Sequence, residues 1–555
     1  MLLSMRTWTK LRRNSQPVAH MSIFCRGKPI SRENLFAYTN GHFLVDEEHQ
    51  LERRYREFNV DALCDVARAA GGSSSRISTI EKLEGGFSKA FLMTKEDGSQ
   101  VMAKIPCYIA GPVFRTTASE VGTLQYIHKN TGIPVPQVFS WSADASNPVG
   151  AEYIIMEKAH GVPLFQQWGK MPEIEKLQLI KRLTQLEAQL SAIAFPAYCG
   201  LYLQVDANRL KHQKRDVALD EQSQFFIGPS PERSFAVDEP GLDQGPWDKL
   251  SDLGISIARR GLCRISNRGS EKHQVMDHLD SIEEQSRLLE TTITVMKILD
   301  SHPRLVESAQ PTLWHTDLHM GNIFVSPDDS TQITSLIDVQ CQSILPLFLQ
   351  AQWPVFLQPP REYTRGFVQP SLPNDFGSLD EDEKAVAMQE WAQSKVAKAY
   401  EVSTFIESRA AHTAMNVPRV FRELFIRAGD VSEAGAVPLR ECLIEIFQNW
   451  SELGFPGQCS YSFSHEEISN HERQFVQYRE WNQVRQLAQE CLDTDAEGWI
   501  APQLDFAEKR RHNRELLSMY IERAAGEKSP EEARRIWPFP DEHPKTLGIR
   551  SLDQR

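Results

Sequence analysis

Trp314-His315-Thr316-Asp317-Leu318-His319-Met320-Gly321-Asn322-Ile323-Phe324-Val325 decides how this chain is read. It has the form H-x-D-x-x-x-x-N and runs into an apolar strand. Farther on, Ile333-Thr334-Ser335-Leu336-Ile337-Asp338 places a second acid at a strand end. An Asp, an Asn five positions later and another Asp after one more strand are the groups that ATP-dependent phosphoryl transfer requires. The first Asp can take or orient the proton of a hydroxyl. The Asn and the second Asp can hold magnesium against a triphosphate. A polar turn between two strands is the plain alternative for the motif taken alone.

Upstream lies a β-rich stretch, residues 78–160. Ile80 to Met93 reads as strand, Gly85-Gly86 turn, strand, and Glu96-Asp97-Gly98-Ser99 as a hairpin turn. Val101-Met102-Ala103-Lys104-Ile105-Pro106 is the next strand. Its single Lys is either an edge residue reaching for water or a phosphate ligand. The spacing predicts a helix over 117–128, with Val121, Leu124 and Ile127 on its buried side and Glu120 beside that stripe. Glu120 is a solvated helix acid or the partner that holds Lys104 toward phosphates. Glu152 to Lys158 is another strand, whose exit at Glu157 to Ala159 offers backbone groups to an adenine edge. Each signal is weak alone, but their order is that of a nucleotide-binding lobe followed by a catalytic loop.

In that order and in its motifs the chain resembles the aminoglycoside phosphotransferase and choline kinase group. This is the small-molecule branch of the protein-kinase-like fold. More narrowly it is similar to the fungal mitochondrial group named altered inheritance of mitochondria protein 9, through Phe36-x-Tyr38-Thr39-x-Gly41, Gly85-Gly86-Phe87-Ser88-Lys89-Ala90-Phe91, Ala103-Lys104-Ile105-Pro106 and His315 to Ile323. The likeness spans roughly residues 35–525. It implies an α+β, bilobal fold with a small β-rich N-lobe and a large, mainly helical C-lobe. It implies ATP and Mg2+ as cofactors and a small-molecule hydroxyl as acceptor. By position, Asp317 is the catalytic Asp, Asn322 and Asp338 bind magnesium, and Lys104 contacts the phosphates with Glu120 as its partner. Gly85, Gly86 and Ser88 form the turn over the phosphates, and the backbone at Glu157 takes the adenine. Two departures stand out. Gly85-Gly86 is not a full G-x-G-x-x-G, and Asp338 is followed by Val339-Gln340. A literal Asp375-Phe376-Gly377 sits in a Pro-rich loop with no strand before it and is read as a decoy. A kinase-like nucleotide-binding protein without turnover is the alternative to an active enzyme.

The length of 555 residues asks for more than one core. A net charge of -13 argues against a general nucleic-acid binder. Nine scattered Cys without a C-x-x-C argue against a disulfide framework or zinc site. No run is apolar enough to predict a transmembrane segment. The first 33 residues read differently from the rest. Basic side chains precede the first acid at Glu33, and Met1, Met5, Trp8 and Leu11 recur at helical spacing. That is the look of a mitochondrial transit peptide, or of a plain disordered basic tail. Residues 34–77 are expected to form an aromatic arm with helices. Residues 161–527 form the helical C-lobe, carrying the catalytic loop 314–340. The stretch 203–270 is punctuated by Gly and Pro and reads as a lid or an insertion. The acidic run Asp380 to Glu383 reads as a helix start. Residues 528–555 are expected to be a loosely docked or disordered tail.

Overall fold

Alternating burial builds the first lobe. Along Ser88–Lys95, positions 89, 91, 93 and 95 face inward. Two of these are lysines, and both are satisfied. Lys95 Nζ donates to the carbonyls of Arg68, Ala70 and Ser73, at the C-terminal end of helix Val60–Ala69, where the backbone dipole favours a cation. Lys89 Nζ donates to Glu84 Oε1 at 2.7 Å and to the Ala37 carbonyl at 2.9 Å. The sheet has seven strands, in the order Lys28–Pro29, Ser22–Cys25, Ile77–Glu84, Ser88–Lys95, Gln100–Pro106, Tyr153–Glu157, Val138–Ser142. Only the pairing of Ser22–Cys25 with Ile77–Glu84 is parallel. The structure is a computed structural model and describes residues 21–210, 219, 222–235, 242–267 and 281–540.

Helix Arg115–Asn130 is buried on almost every side through Ile127. Its amphipathic stripe faces one side of the core, and the hairpin Gly200–Leu203/Phe225–Gly228 covers another. The close approach is at Gly122, where a Cβ would lie 2.6 Å from the Leu201 carbonyl oxygen. The link between the lobes is equally tight. Gly161 has φ +90°, and a Cβ there would collide with the Val325 carbonyl and the Thr334 hydroxyl. The next two residues, Val162–Pro163, add an edge strand to Ile323–Val325.

The second lobe is helical. Glu173–Ser191 packs on Glu381–Glu407, and Leu250–Asn267 packs on Ile282–Met296 and Arg419–Ala434. The run Asp380 to Glu383 is a helix start with a complete capping box between Asp380 and Glu383. No helix among the described residues is long and apolar enough to cross a membrane.

Three expectations need correction. Residues 1–20 of the expected transit segment lie outside the described residues, but Ser22–Cys25 belongs to the N-lobe sheet, so a disordered segment does not extend to residue 33. The stretch 203–270 supplies core elements where it is described. Phe225, Phe226 and Ile227 are buried, and Leu250–Asn267 is a full C-lobe helix. Gly and Pro there mark the joints between elements. Past residue 528 the chain forms helix Pro530–Ile536 and then buries Trp537 and Phe539. Asn513, buried on helix Phe506–Ala524, donates to the Phe539 carbonyl and accepts from Trp537 Nε1. Residues 541–555 lie outside the described residues.

One buried acid gives stability a pH dependence. Glu187 lies between the helices Glu173–Ser191 and Glu381–Glu407, with the Tyr400 hydroxyl 2.9 Å from Oε2. Burial pushes its carboxyl up to about 8, and the Tyr400 bond opposes this only in part. The folded chain therefore keeps a proton that the unfolded chain releases above its ordinary value of 4.5. Stability from this group is fully present below that value and is lost as pH rises through the folded value. Glu187→Gln keeps an acceptor for Tyr400 and cannot ionise. Thermal melts are expected to show the variant more stable than the natural protein at pH 8.5, with that advantage gone at pH 5.

Candidate functional site

Two short strands close the loop that carries His315, Asp317 and Asn322 at its base. Pro311–Leu313 pairs antiparallel with Ile344–Pro346, with Leu313 opposite Ile344. Between them the chain makes a second hairpin, Ile323–Val325 against Ile333–Leu336, with Ile323 opposite Leu336. This register decides the chemistry. Asn322 precedes one strand, Ile337-Asp338 follows the other, and the Ile337 amide donates to the Asn322 carbonyl at 3.0 Å. Two residues 16 positions apart therefore emerge at the same end of one hairpin.

His315 ties the loop together. It is buried; Nε2 donates to the Ile337 carbonyl at 2.9 Å, and Nδ1 accepts from the Asp317 amide at 3.3 Å. Burial lowers its ring below the ordinary histidine range, so it is neutral, as the acceptor role of Nδ1 requires. Asp317 itself is exposed. Asn322 Nδ2 donates to the Asp317 carbonyl at 3.0 Å and lies 3.4 Å from Asp317 Oδ2. With its nitrogen so committed, the Asn322 amide oxygen is the atom left to face a cation.

Lys104 joins the two lobes. Its Nζ is 2.6 Å from Glu120 Oε1 and 2.9 Å from Asp338 Oδ1. Burial by itself would lower the Lys104 ammonium, but Asp338 and Glu120 outweigh it and hold the group charged, well above its ordinary value. Lys104 in turn holds the Asp338 carboxyl below the usual carboxylate range. Asp338 adopts φ +64°, a left-handed conformation that an Asp tolerates better than most residues, at the point where the chain turns out of its strand. Its side chain is 44% exposed, which leaves a carboxylate oxygen open to the cleft.

The Gly85-Gly86 turn closes on itself through the Gly85 amide and the Ser88 carbonyl at 3.1 Å. Ser88 Oγ donates across the lobes to Gln340 Oε1 at 2.9 Å. Glu157 lies at the exit of its strand, where its carboxylate meets His160 Nε2 at 2.9 Å. The structure thus brings Lys104, Glu120 and Asp338 together, pairs Asp317 with Asn322, and links Ser88 to the loop after Asp338. Asp375 is exposed and lies just before a short 3-10 turn, without a strand.

Sequence reasoning missed Gln340, the loop-tying role of His315, and Arg233, whose guanidinium carbon sits 3.2 Å over the Phe87 ring. Gln340 and Arg233 lie far along the chain from the residues they meet, so no spacing signal marks them. Among the described residues no group of three or more His, Cys, Asp or Glu side chains is arranged to hold a metal. The donors at this site are carboxylate and amide oxygens. That set suits magnesium, which is commonly held by one or two carboxylates together with substrate phosphates.

Residues 79–344 match the profile of APH, the phosphotransferase enzyme family. A subtelomeric hrmA-associated cluster protein of Aspergillus fumigatus is 30% identical over 508 residues, which cover 84% of this chain and 97% of that protein. The chain belongs to the APH phosphotransferase family. Altered inheritance of mitochondria protein 9 of Yarrowia lipolytica, named as mitochondrial, is another relative, 22% identical over 85% of each chain. Among solved structures, the streptomycin-ATP ternary complex of APH(2")-IIa is 14% identical, covering 72% of this chain and 99% of that one with a TM-score of 0.34. The relation of this chain to APH members rests on its sequence and on the two-lobed site described above.

The buried Lys104–Glu120 pair makes a stability prediction that does not depend on activity. Lys104→Ala leaves Glu120 buried without its cation, a loss of about 3–5 kcal/mol by analogy with other buried pairs. Removing both, in Lys104→Ala/Glu120→Ala, is expected to restore part of that loss in denaturant melts. Additive losses would show that the two charges are not coupled.

Proposed function

We propose that this protein is an ATP- and magnesium-dependent phosphotransferase acting on a hydroxyl of a small molecule, and that it works in mitochondria. The observation that carries the reading is the position of Lys104 Nζ, bonded to both Glu120 and Asp338 while Asn322 holds Asp317. Family membership supports phosphoryl transfer as the reaction class. The mitochondrial part rests on the names of relatives such as the Yarrowia lipolytica protein and on the basic, acid-free run before Glu33. The small-molecule part draws on the segment after Asp338. After Asp338 the chain has no A-P-E, the motif that closes the activation segment of a protein kinase.

Asp317 orients the acceptor hydroxyl and takes its proton as the phosphoryl group transfers. Its carboxylate is exposed to the cleft, and the Asn322 amide fixes its position. Lys104 places a permanent cation against the phosphates, and Glu120 keeps that ammonium aimed. The Gly85–Ser88 turn covers the phosphates, and the backbone from Glu157 takes the adenine edge. Asn322 and Asp338 would hold magnesium, which when bound offsets charge on the triphosphate oxygens. His315 keeps Asp317 and Ile337 in register, so the orienting Asp and the metal-side Asp keep their separation.

Thermal melts with and without Mg-ATP test the nucleotide site, because a ligand of the folded state must raise its stability. A magnesium-dependent rise is expected, and its loss in Asp338→Ala. Asp317→Asn is expected to keep the rise while phosphate transfer to an accepted metabolite falls by about 10²–10³-fold or more. Full transfer activity in Asp317→Asn would remove that residue from its role. No thermal shift at millimolar ATP would favour a scaffold that has kept the shape of the site without its chemistry.

A further inference from the structure

The turn expected to cover the phosphates has two adjacent glycines in place of a full glycine set, yet its backbone is held firmly from outside. Arg54, 2% exposed at the end of helix Glu47–Arg54, donates from Nε to the Gly86 carbonyl at 3.1 Å. One terminal nitrogen is engaged by Gln50, through its backbone carbonyl at 3.1 Å and its side-chain Oε1 at 2.5 Å. The other donates to Glu497 Oε2 at 2.6 Å. The guanidinium also lies over the Phe43 ring, at 4.5 Å from its centroid. Glu497 belongs to the segment between helix His465–Leu492 and strand Trp499–Ile500, far along the chain and outside the matched region 79–344. That segment is fastened to the N-terminal arm. Trp499–Ile500 pairs with His42–Phe43, the Leu44 amide donates to the Gly498 carbonyl at 2.8 Å, and Trp499 Nε1 donates to the Asn40 carbonyl at 2.8 Å.

We infer that Arg54 is a positioning residue for the nucleotide, and that the Arg54–Glu497 pair makes the C-terminal segment a regulator of nucleotide affinity. The inference rests on the phosphotransferase reading above, since it needs the Gly85–Ser88 turn to meet phosphates. The turn has two anchors. Gln340 holds Ser88 from the catalytic side, and Arg54 holds Gly86 from the arm. An Arg is suited to the second anchor because its planar fork addresses a carbonyl and a carboxylate at once, whereas a Lys offers a single point charge. Glu497 is 42% exposed, so its loss spares the core, and it is the handle by which movement of the C-terminal helices reaches the turn. Coupling of this kind is reciprocal. If the C-terminal contact tightens nucleotide binding, the nucleotide must tighten the C-terminal contact.

The test compares the full-length natural protein with Glu497→Ala, Arg54→Lys and, as a control on the helix Phe506–Ala524 that follows that segment, Glu508→Gln. Mg-ATP affinity is measured by calorimetry, and amide hydrogen exchange is followed with and without Mg-ATP. Glu497→Ala and Arg54→Lys are expected to bind Mg-ATP about fivefold or more weakly, and Glu508→Gln with natural affinity. Mg-ATP is expected to slow exchange at Gly498 to Ile500 in the natural protein and to lose that effect in Glu497→Ala. A purely structural pair would lower melting temperature and leave both readouts unmoved. Natural affinity in both variants, with exchange at Gly498 to Ile500 indifferent to Mg-ATP, overturns the inference while the nucleotide reading stands. Failure of the natural protein to bind Mg-ATP overturns the nucleotide reading and the inference together.

Discussion

The Lys104 ammonium, held between Glu120 and Asp338, is the constraint to which the rest of the structure answers. Burying Lys104 and Glu120 as charges is costly, and their attraction, with that of the half-exposed Asp338, offsets that cost only in good geometry. Good geometry here needs three elements to arrive together. Lys104 comes from the strand Gln100–Pro106, Glu120 from the helix Arg115–Asn130, and Asp338 from just past the hairpin strand Ile333–Leu336. Two belong to the first lobe and one to the second, so this contact also sets how far apart the lobes stand.

Close backbone approaches make that arrival possible. Gly122 lets the Glu120 helix rest against the Gly200–Leu203 hairpin, which fixes its height over the sheet. Gly161 lets the link between lobes run directly over Val325 and Thr334, so the N-lobe sheet is seated on the hairpin Ile323–Leu336. Contacts across the cleft add to this seat. Ser88 reaches Gln340, and Arg233 covers Phe87, both just after the two glycines of the turn. The outer arm and the C-terminal helices then close around the N-lobe through Arg54 and Trp499. Elements remote in sequence thus converge on one small turn. The first lobe is thus supported by segments that lie outside the family-matched residues 79–344.

Much of the architecture was legible because it is local. The strands either side of the 96–99 turn, the helical stripe at 117–128 and the H-x-D-x-x-x-x-N spacing are each contained within a few turns of chain, and the structure shows elements in those places. The pairing of Ile323–Val325 with Ile333–Leu336 carries a register shift between Phe324 and Val325, so the common emergence of Asn322 and Asp338 was not implicit in the spacing of the two motifs. The stretch 203–270 was harder. Its Gly and Pro residues signal joints, and joints do not reveal whether the pieces between them are core. Burial of Phe225 to Ile227 and of the Leu250 helix depends on neighbours elsewhere in the chain.

By itself the sequence determined the order of elements, the residue types at the candidate site and the class of chemistry they suit, because spacing and periodicity are properties of a local chain. Tertiary structure alone decided that Lys104 meets Asp338, that Ser88 meets Gln340 and that Arg54 reaches both Gly86 and Glu497. Those partners lie 234, 252 and 443 positions apart for the three longest contacts. Arg54, at the end of a helix rich in charge, is a buried anchor only because other elements cover it. Burial is set by what packs on a face, and no window of sequence contains both the face and its cover.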